Sequence, residues 1–277
     1  MKCFLQVKVV NLSQYLFSLK LLLVITFICY SKLNAITLDN ISTKSQNATT
    51  STSWSHITGS TGSKTVLILS VVIDQNTINS VKYNGTNLTL FGSRTRNNLT
   101  SAIYYLTSPD TGTRSIQITI SGGSANIRAG AITYFDVNQS APLIDLYTID
   151  AASGNANVTY TSNSGLAVVL LGTGSSNPNP STTTQVYEVG NGHYDNFSTI
   201  STTGSANLKY TFAACDWLII AGILNPYLAP LPVKLIDFNA HVYSNHVKLN
   251  WSTANEENLN RYEVVRSIDG RNFEVIG

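Results

Sequence analysis

The densest set of groups able to do chemistry is the stretch Tyr187 to Phe197, Tyr-Glu-Val-Gly-Asn-Gly-His-Tyr-Asp-Asn-Phe. Tyr187, Tyr194 and Phe197 offer flat apolar faces on which a sugar ring or an aromatic ligand can stack. His193, Asp195 and Asn196 offer directional hydrogen bonds at the edge of such a platform. These six residues are the candidate ligand-binding set. Gly190-Asn191-Gly192 reads as a turn, so the competing reading makes the same aromatics core positions of a hairpin.

Catalytic chemistry finds less support. Glu188 is the only glutamate between Ile36 and Pro226. A glycosidase needs two carboxylates across the scissile bond, and Asp136, Asp145, Asp150, Asp195 and Asp216 show no tight pairing that would supply the second. His56 and His193 lie far apart with no Gly-x-Ser-x-Gly between strand and helix, so a Ser-His-Asp triad has no local signature. No catalytic residue is assigned, and a glycan-active hydrolase is the least favoured function. No metal site or cofactor is assigned. Calcium is the one ion to weigh, through Asp136 with Asn138 or Asp195 with Asn196, but neither pair has the dense spacing of a calcium loop, and solvated turns are the favoured reading.

Those side chains must be positioned by strands. Only 12% of the residues are charged, and the polar fraction is dominated by Ser, Thr and Asn, which compete with helical backbone bonds and suit strands and turns. Ile116, Ile118 and Ile120 alternate with Ser115, Gln117 and Thr119, the period of a half-buried strand. Asn84-Gly85 is the dipeptide of a tight hairpin turn. Thr65 to Ile73, Leu166 to Leu171 and Trp217 to Leu224 are apolar on both faces and read as central strands, their outer faces covered by the protein's own loops or flanking strands. The expected fold is all-β, an antiparallel jelly-roll-like sandwich.

The first 35 residues read as a signal peptide: Lys2, Lys8 and Lys20 precede an apolar run from Leu21 to Tyr30, and a cleavage site is expected after Ala35. The run is too short to be a permanent membrane span. Four of the 17 basic residues (Lys2, Lys8, Lys20, Lys32) leave with it, so 13 face 15 acidic residues and the mature chain is slightly acidic. Nucleic acid is therefore not an expected partner, since Arg94-Thr95-Arg96 is the only close basic pair in the large domain and reads as a solvated strand end. Cys3 and Cys29 also leave, so Cys215 has no partner for a disulfide.

The succession Trp54-Ser55-His56, Thr65 to Val71, Asn79 to Gly85 with Leu88, Ile103 to Leu106 before Pro109 and Gly112, Ala129 to Phe135, and Asp216-Trp217 to Asn225-Pro226 resembles a jelly-roll-like module found repeatedly in secreted bacterial proteins. Ser63-Lys64 stands where that pattern usually has Asn-Arg. The likeness implies fold and secretion, attaches no activity, and places Trp54 and Trp217 at strand starts in the core.

Asn225 to Pro232 carries three prolines and reads as a stiff linker over residues 227–232. Beyond it, Val233 to Ala240, Val247 to Trp251, Tyr262 to Arg266 and Phe273 to Val275 read as strands, with Trp251 as a buried second-strand aromatic. Glu256-Glu257-Asn258 and Asp269-Gly270 read as structural loop and turn residues, and His241 and His246 flank a turn without further metal ligands. The wording of Leu231 to Gly277 resembles the fibronectin type III-like module that precedes the type IX secretion sorting domain in surface and secreted proteins of Bacteroidota. About 45 residues against the roughly 90 to 100 of such a sandwich mark residues 233–277 as a truncated copy, so the sorting signal is expected beyond Gly277. The expected function is a secreted or cell-surface adhesion or recognition module with a glycan or other surface ligand as partner. The alternative is a passive spacer.

Overall fold

The structure is a computed structural model and describes the chain apart from residues 1, 11–21, 29–34, 75–76, 164, 228–233, 245, 255–260, 268–273 and 276–277. It falls into two compact units, Asn34–Tyr227 and a smaller one formed by Met1–Leu33 with Leu228–Gly277. The boundaries lie within two residues of the expected cleavage and linker positions. Strands β1 (Lys2–Val10) and β2 (Leu22–Ile28) belong to the smaller unit.

In the larger unit every ladder is antiparallel. Its first half runs β3 (Thr37–Thr49), β4 (Ser51–Thr58), β5 (Val66–Asp74), β6 (Thr77–Tyr83), β7 (Thr86–Asn87), β8 (Thr89–Arg96), β9 (Leu99–Thr107), β10 (Gly112–Ser121) and β11 (Ala125–Phe135). The hairpin between β6 and β7 turns at Asn84 (φ 47°) and Gly85 (φ 82°), the two left-handed residues that the Asn-Gly pair predicts. The second half runs β12 (Leu143–Thr161), β13 (Gly165–Thr173), β14 (Asn179–Pro180), β15 (Thr184–Asn191), β16 (His193–Thr202) and β17 (Ser205–Leu224).

The two halves repeat one topology. In the first, one sheet has the order β3-β11-β5-β9-β8 and a second has β4-β10-β6-β7. In the second half the order β12-β17-β13-β16-β15 matches the first sheet strand for strand. Its β12 and β17 are long: they break register at Ser153/Asn155, and their outer arms pair with each other and with β14 as β4, β10 and β6 do. The halves leave through reciprocal bonds, Asn138 N–H to Asn225 O and Tyr227 N–H to Asp136 O, both 2.8 Å.

This layering explains the three doubly apolar strands. On β5, Val66, Ile68 and Val72 face a core shared with Val168, Leu170, Leu218 and Ile220 of the other half. Leu67, Leu69, Val71 and Ile73 face a second core with Val81, Tyr83, Ile116 and Ile118. On β13 and β17, the opposite faces carry Val169, Leu171, Ile219 and Ile223 into a third core beneath Val158, Tyr160, Leu208 and Tyr210. Each fully buried aliphatic side chain adds about 1.5–3 kcal/mol. The cover is the chain's own strands, and the fold is the expected all-β antiparallel sandwich with more layers than a single pair of sheets.

Two placements differ from expectation. Trp54 and Trp217 lie in mid-strand, and only Trp217 is fully buried; Trp54 is half-buried against the second core. The indole N–H groups of both donate to serines, Ser42 Oγ and Ser153 Oγ, at 2.9 Å.

In the smaller unit, β18 (Lys234–Val242) pairs with β19 (Val247–Ala254), and β20 (Arg261–Ser267) pairs with β21 (Glu274–Val275), close to the expected strands. β20 also pairs in parallel with β1, which pairs with β2, so residues of the expected leader form strands of this unit. Trp251 is 37% exposed and not buried; its strand β19 is hydrogen-bonded to β18 in a two-stranded sheet. The Tyr243 and His246 rings stack at 4.7 Å across its turn. Glu256-Glu257-Asn258, Asp269-Gly270 and linker residues 228–232 lie outside the described residues.

Candidate functional site

The six candidate residues sit on the β15–β16 hairpin, which turns at Gly192 (φ 84°). The structure brings them together but withdraws most of them from the surface. Tyr187, Asp195, Asn196 and Phe197 are buried, while His193 and Tyr194 are half-buried. Tyr187 and Phe197 are cross-strand partners whose rings stack on each other, centroids 5.6 Å apart and planes 10° apart. The stacking faces of Tyr187 and Phe197 are thus spent inside the core, and the platform reading of these two residues is corrected to packing.

What they build instead is a buried polar chain between the halves. Ser70 Oγ on β5 donates to Asp195 Oδ2 at 2.5 Å and shares a hydrogen bond with the Tyr187 hydroxyl. Asp195 Oδ1 and the neighbouring core hydroxyl of Tyr134 have no partner. Burial raises the Asp195 carboxyl from its ordinary 3.8 to about 8, against the lowering effect of its bonds to Ser70 and Tyr187. Burial likewise lifts the Tyr187 phenol well above its usual range. At neutral pH the cluster is therefore an uncharged, buried network. A backbone without side chain makes room for it: a Cβ on Gly130 would come 2.1 Å from Tyr187 Cζ.

Toward the rim, Arg128 is wholly buried and donates to Gln46 O, Asn47 Oδ1 and Asn191 O, locking the hairpin onto β3 and β11. His193 Nδ1 lies 3.8 Å from Asp74 Oδ2, whose carboxylate also accepts from the backbone and amide of Asn126. Burial lowers the His193 pKa, Asp74 opposing and Arg128 adding to the effect.

The remaining candidates are placed as follows. Burial raises the Glu188 carboxyl. His56 is buried, shares a 2.8 Å bond with Ser42 Oγ, and is pushed down to about 4 by burial, so it is neutral at physiological pH. Asn138 Oδ1 accepts from the backbone of Ser140 and Ala141, the arrangement of a turn. Asp195 and Asn196 are consecutive on a strand and point to opposite faces. No group of three metal-ligating side chains occurs among the described residues.

Two features escaped the sequence reading. Arg94 and Arg96 do end a strand, but they are paired: Arg96 donates to Asp150 Oδ2 and Asp216 Oδ1, both at 2.8 Å, Arg94 binds Asp150, and Asn97 Nδ2 donates to Asp216. The bonds from Arg96 hold the Asp150 carboxyl below its usual range, and those from Asn97 and then Arg96 do the same for Asp216. This surface network ties β8 to β12 and β17.

The second is an open trough of about 450 Å³ lined by Asp145, Leu146, Tyr147, Tyr160, Thr161, Ser162 and Asn163. It forms at a β-bulge, where Asp145 and Leu146 together oppose Gly222. Asp145 takes a left-handed φ of 56°. The Tyr160 hydroxyl donates to Asp145 O, and Asn163 N–H donates to Asp145 Oδ2, both at 2.8 Å, so the floor is fixed. Leu146 is 50% exposed and Tyr147 half-exposed. A repeat of the strand start Leu38-Asp39-Asn40-Ile41 as Ile144-Asp145-Leu146-Tyr147 is the sequence signal that could have found it.

No protein-family model, no curated protein and no solved structure matches this chain.

Proposed function

We propose that the chain is a non-catalytic recognition module that acts outside the cell, exported by its N-terminal leader and held at the surface, with a glycan as its ligand class. The observation that carries this reading is the fate of the acid–base groups. Asp195, the carboxyl with the most perturbed pKa, is sealed in a core, and Asp150 and Asp216 are neutralised by arginines. A glycosidase needs two carboxyls flanking a reachable bond, whereas the larger open trough has a single carboxylate, Asp145, among hydroxyls, an amide and apolar side chains. The likeness of residues 231–277 to modules that precede a sorting domain supports the surface destination.

A full-length chain applied to a glycan array, with a parallel assay for sugars released from polysaccharides, tests this. Retention on a defined glycan subset without release is the expected result. Release of sugars would overturn the non-catalytic reading. The second reading, a passive spacer, is favoured by the burial of every aromatic that first looked like a platform except Tyr194, and silence across the array would select it.

A further inference from the structure

We infer that the trough at the β12 bulge is the ligand site, and that it takes a neutral sugar unit. The inference rests on the recognition reading above. Its warrant comes from comparing the two halves, which repeat the bulge at equivalent places. In β3, Asp39 and Asn40 oppose Thr133, as Asp145 and Leu146 oppose Gly222 in β12. Both aspartates use Oδ2 to hold a backbone N–H of the segment ahead of the central strand, Gly59 at 2.7 Å in one half and Asn163 at 2.8 Å in the other.

The surroundings then diverge. Asp39 is saturated: Oδ2 also accepts from Thr133 Oγ1 at 2.8 Å, and Oδ1 accepts from Asn40 Nδ2 at 2.9 Å. Around Asp145 both extra donors are gone, since Leu146 replaces Asn40 and Gly222 replaces Thr133. Asp145 Oδ1 is left as an acceptor with no protein donor among the described residues. Where the first half has Ile41, the second has Tyr147, half-buried against the third core with its ring 5.6 Å from that of Tyr160, and lining the trough together with the exposed Leu146. The same bulge that is closed and self-satisfied in one half is thus open in the other.

The chemistry of the opened trough fits one class. The parts of Tyr147, Tyr160 and Leu146 that line the trough offer apolar contact for the C–H side of a pyranose ring. The Asp145 carboxylate and the exposed Thr161 and Asn163 side chains supply acceptors and donors for its hydroxyls. No cationic side chain lines it, which disfavours anionic sugars and phosphates. The volume lies in the range of small-ligand sites, and its openness suits one or two units of a longer polymer. A second trough, lined by Thr77, Thr95, Asn97, Asn98, Thr100, Ser121 and Gly122, has hydroxyls and amides but no ring to stack on, and serves as the control.

The test is affinity electrophoresis of the full chain in gels containing cellulose derivative, xylan, mannan, laminarin or starch, with Tyr147→Ala, Thr161→Arg and Thr95→Ala compared with the parent. Thr161→Arg blocks the rim from an exposed position and leaves the core alone, so it covers the case in which Tyr147→Ala destabilises the chain. The expected result is retardation of the parent by at least one polysaccharide, weakened about tenfold or more by Tyr147→Ala and Thr161→Arg and unchanged by Thr95→Ala. Equal retardation of parent and trough variants would overturn the trough while leaving recognition standing. Loss on Thr95→Ala with the trough variants unaffected would move the site to the control trough. No retardation of the parent in any gel would overturn both readings.

Discussion

Asp195 and His56 are buried titratable groups displaced in opposite senses, and stability should record both. A folded carboxyl at about 8, against 3.8 in the unfolded chain, keeps a proton that the unfolded chain releases. Between pH 4 and 8 it therefore favours unfolding by about 1.4 kcal/mol for each unit the pH rises. His56, at about 4 folded and 6.5 unfolded, works the other way. Between pH 4 and 6.5 the unfolded chain gains a proton the folded one refuses, so stability falls on acidification. The two slopes oppose each other below pH 6.5, and only Asp195 acts from there to pH 8. Urea midpoints should be nearly flat from these two groups between pH 4 and 6.5 and fall from 6.5 to 8. Asp195→Asn should abolish the fall at the alkaline end; a persistent fall would mean that Asp195 is ionised in the fold. The sequence showed that aromatic and hydrogen-bonding groups concentrate between Tyr187 and Phe197. It could not show that both faces of β16 are buried, with Asn196 and Ser198 inside as well, and so the platform reading failed.

At the scale of elements, the strands and the central position of β5, β13 and β17 were legible, since a run apolar on both faces has no other economical use. The duplication was not. Its surest echo is a four-residue strand start, and alternating Ile, Val, Ser and Thr are shared by any sandwich, so the likeness hides in the common grammar of strands. Arg128 of β11 and Asp216 of β17 anchor reciprocal seams with opposite charge, which further obscures it. Close approach of the two halves is tightest where β11 lacks a side chain. Gly130→Ala would drive a methyl group into the Tyr187 ring, which is walled in by Ser70, Asp195 and Phe197. A loss of about 1–3 kcal/mol is expected from such overpacking, measured by urea denaturation. Gly123→Ala, at an open turn with φ 119°, isolates the backbone cost alone. No loss in Gly130→Ala, whose φ is not in the left-handed region, would show that the Tyr187 contact is loose.

For the whole molecule, the larger unit begins at Asn34, next to the cleavage expected after Ala35. Sequencing the amino terminus of exported protein should return Ile36 first. A chain starting there should keep the urea midpoint of the larger unit, because its three cores draw only on residues from Ile36 onward. A marked drop would mean that β1 and β2 support it. The repeated topology also sets an order of events. The first strand of each half pairs with the last, β3 with β11 and β12 with β17: Asp39 waits for Thr133, 94 residues later, and across the halves Ser70 waits for Asp195, 125 residues later. Neither half can close while its final strand is still on the ribosome or inside a translocation pore. Pairings so remote in sequence form slowly, and under the export proposed above that delay would keep the chain open for threading.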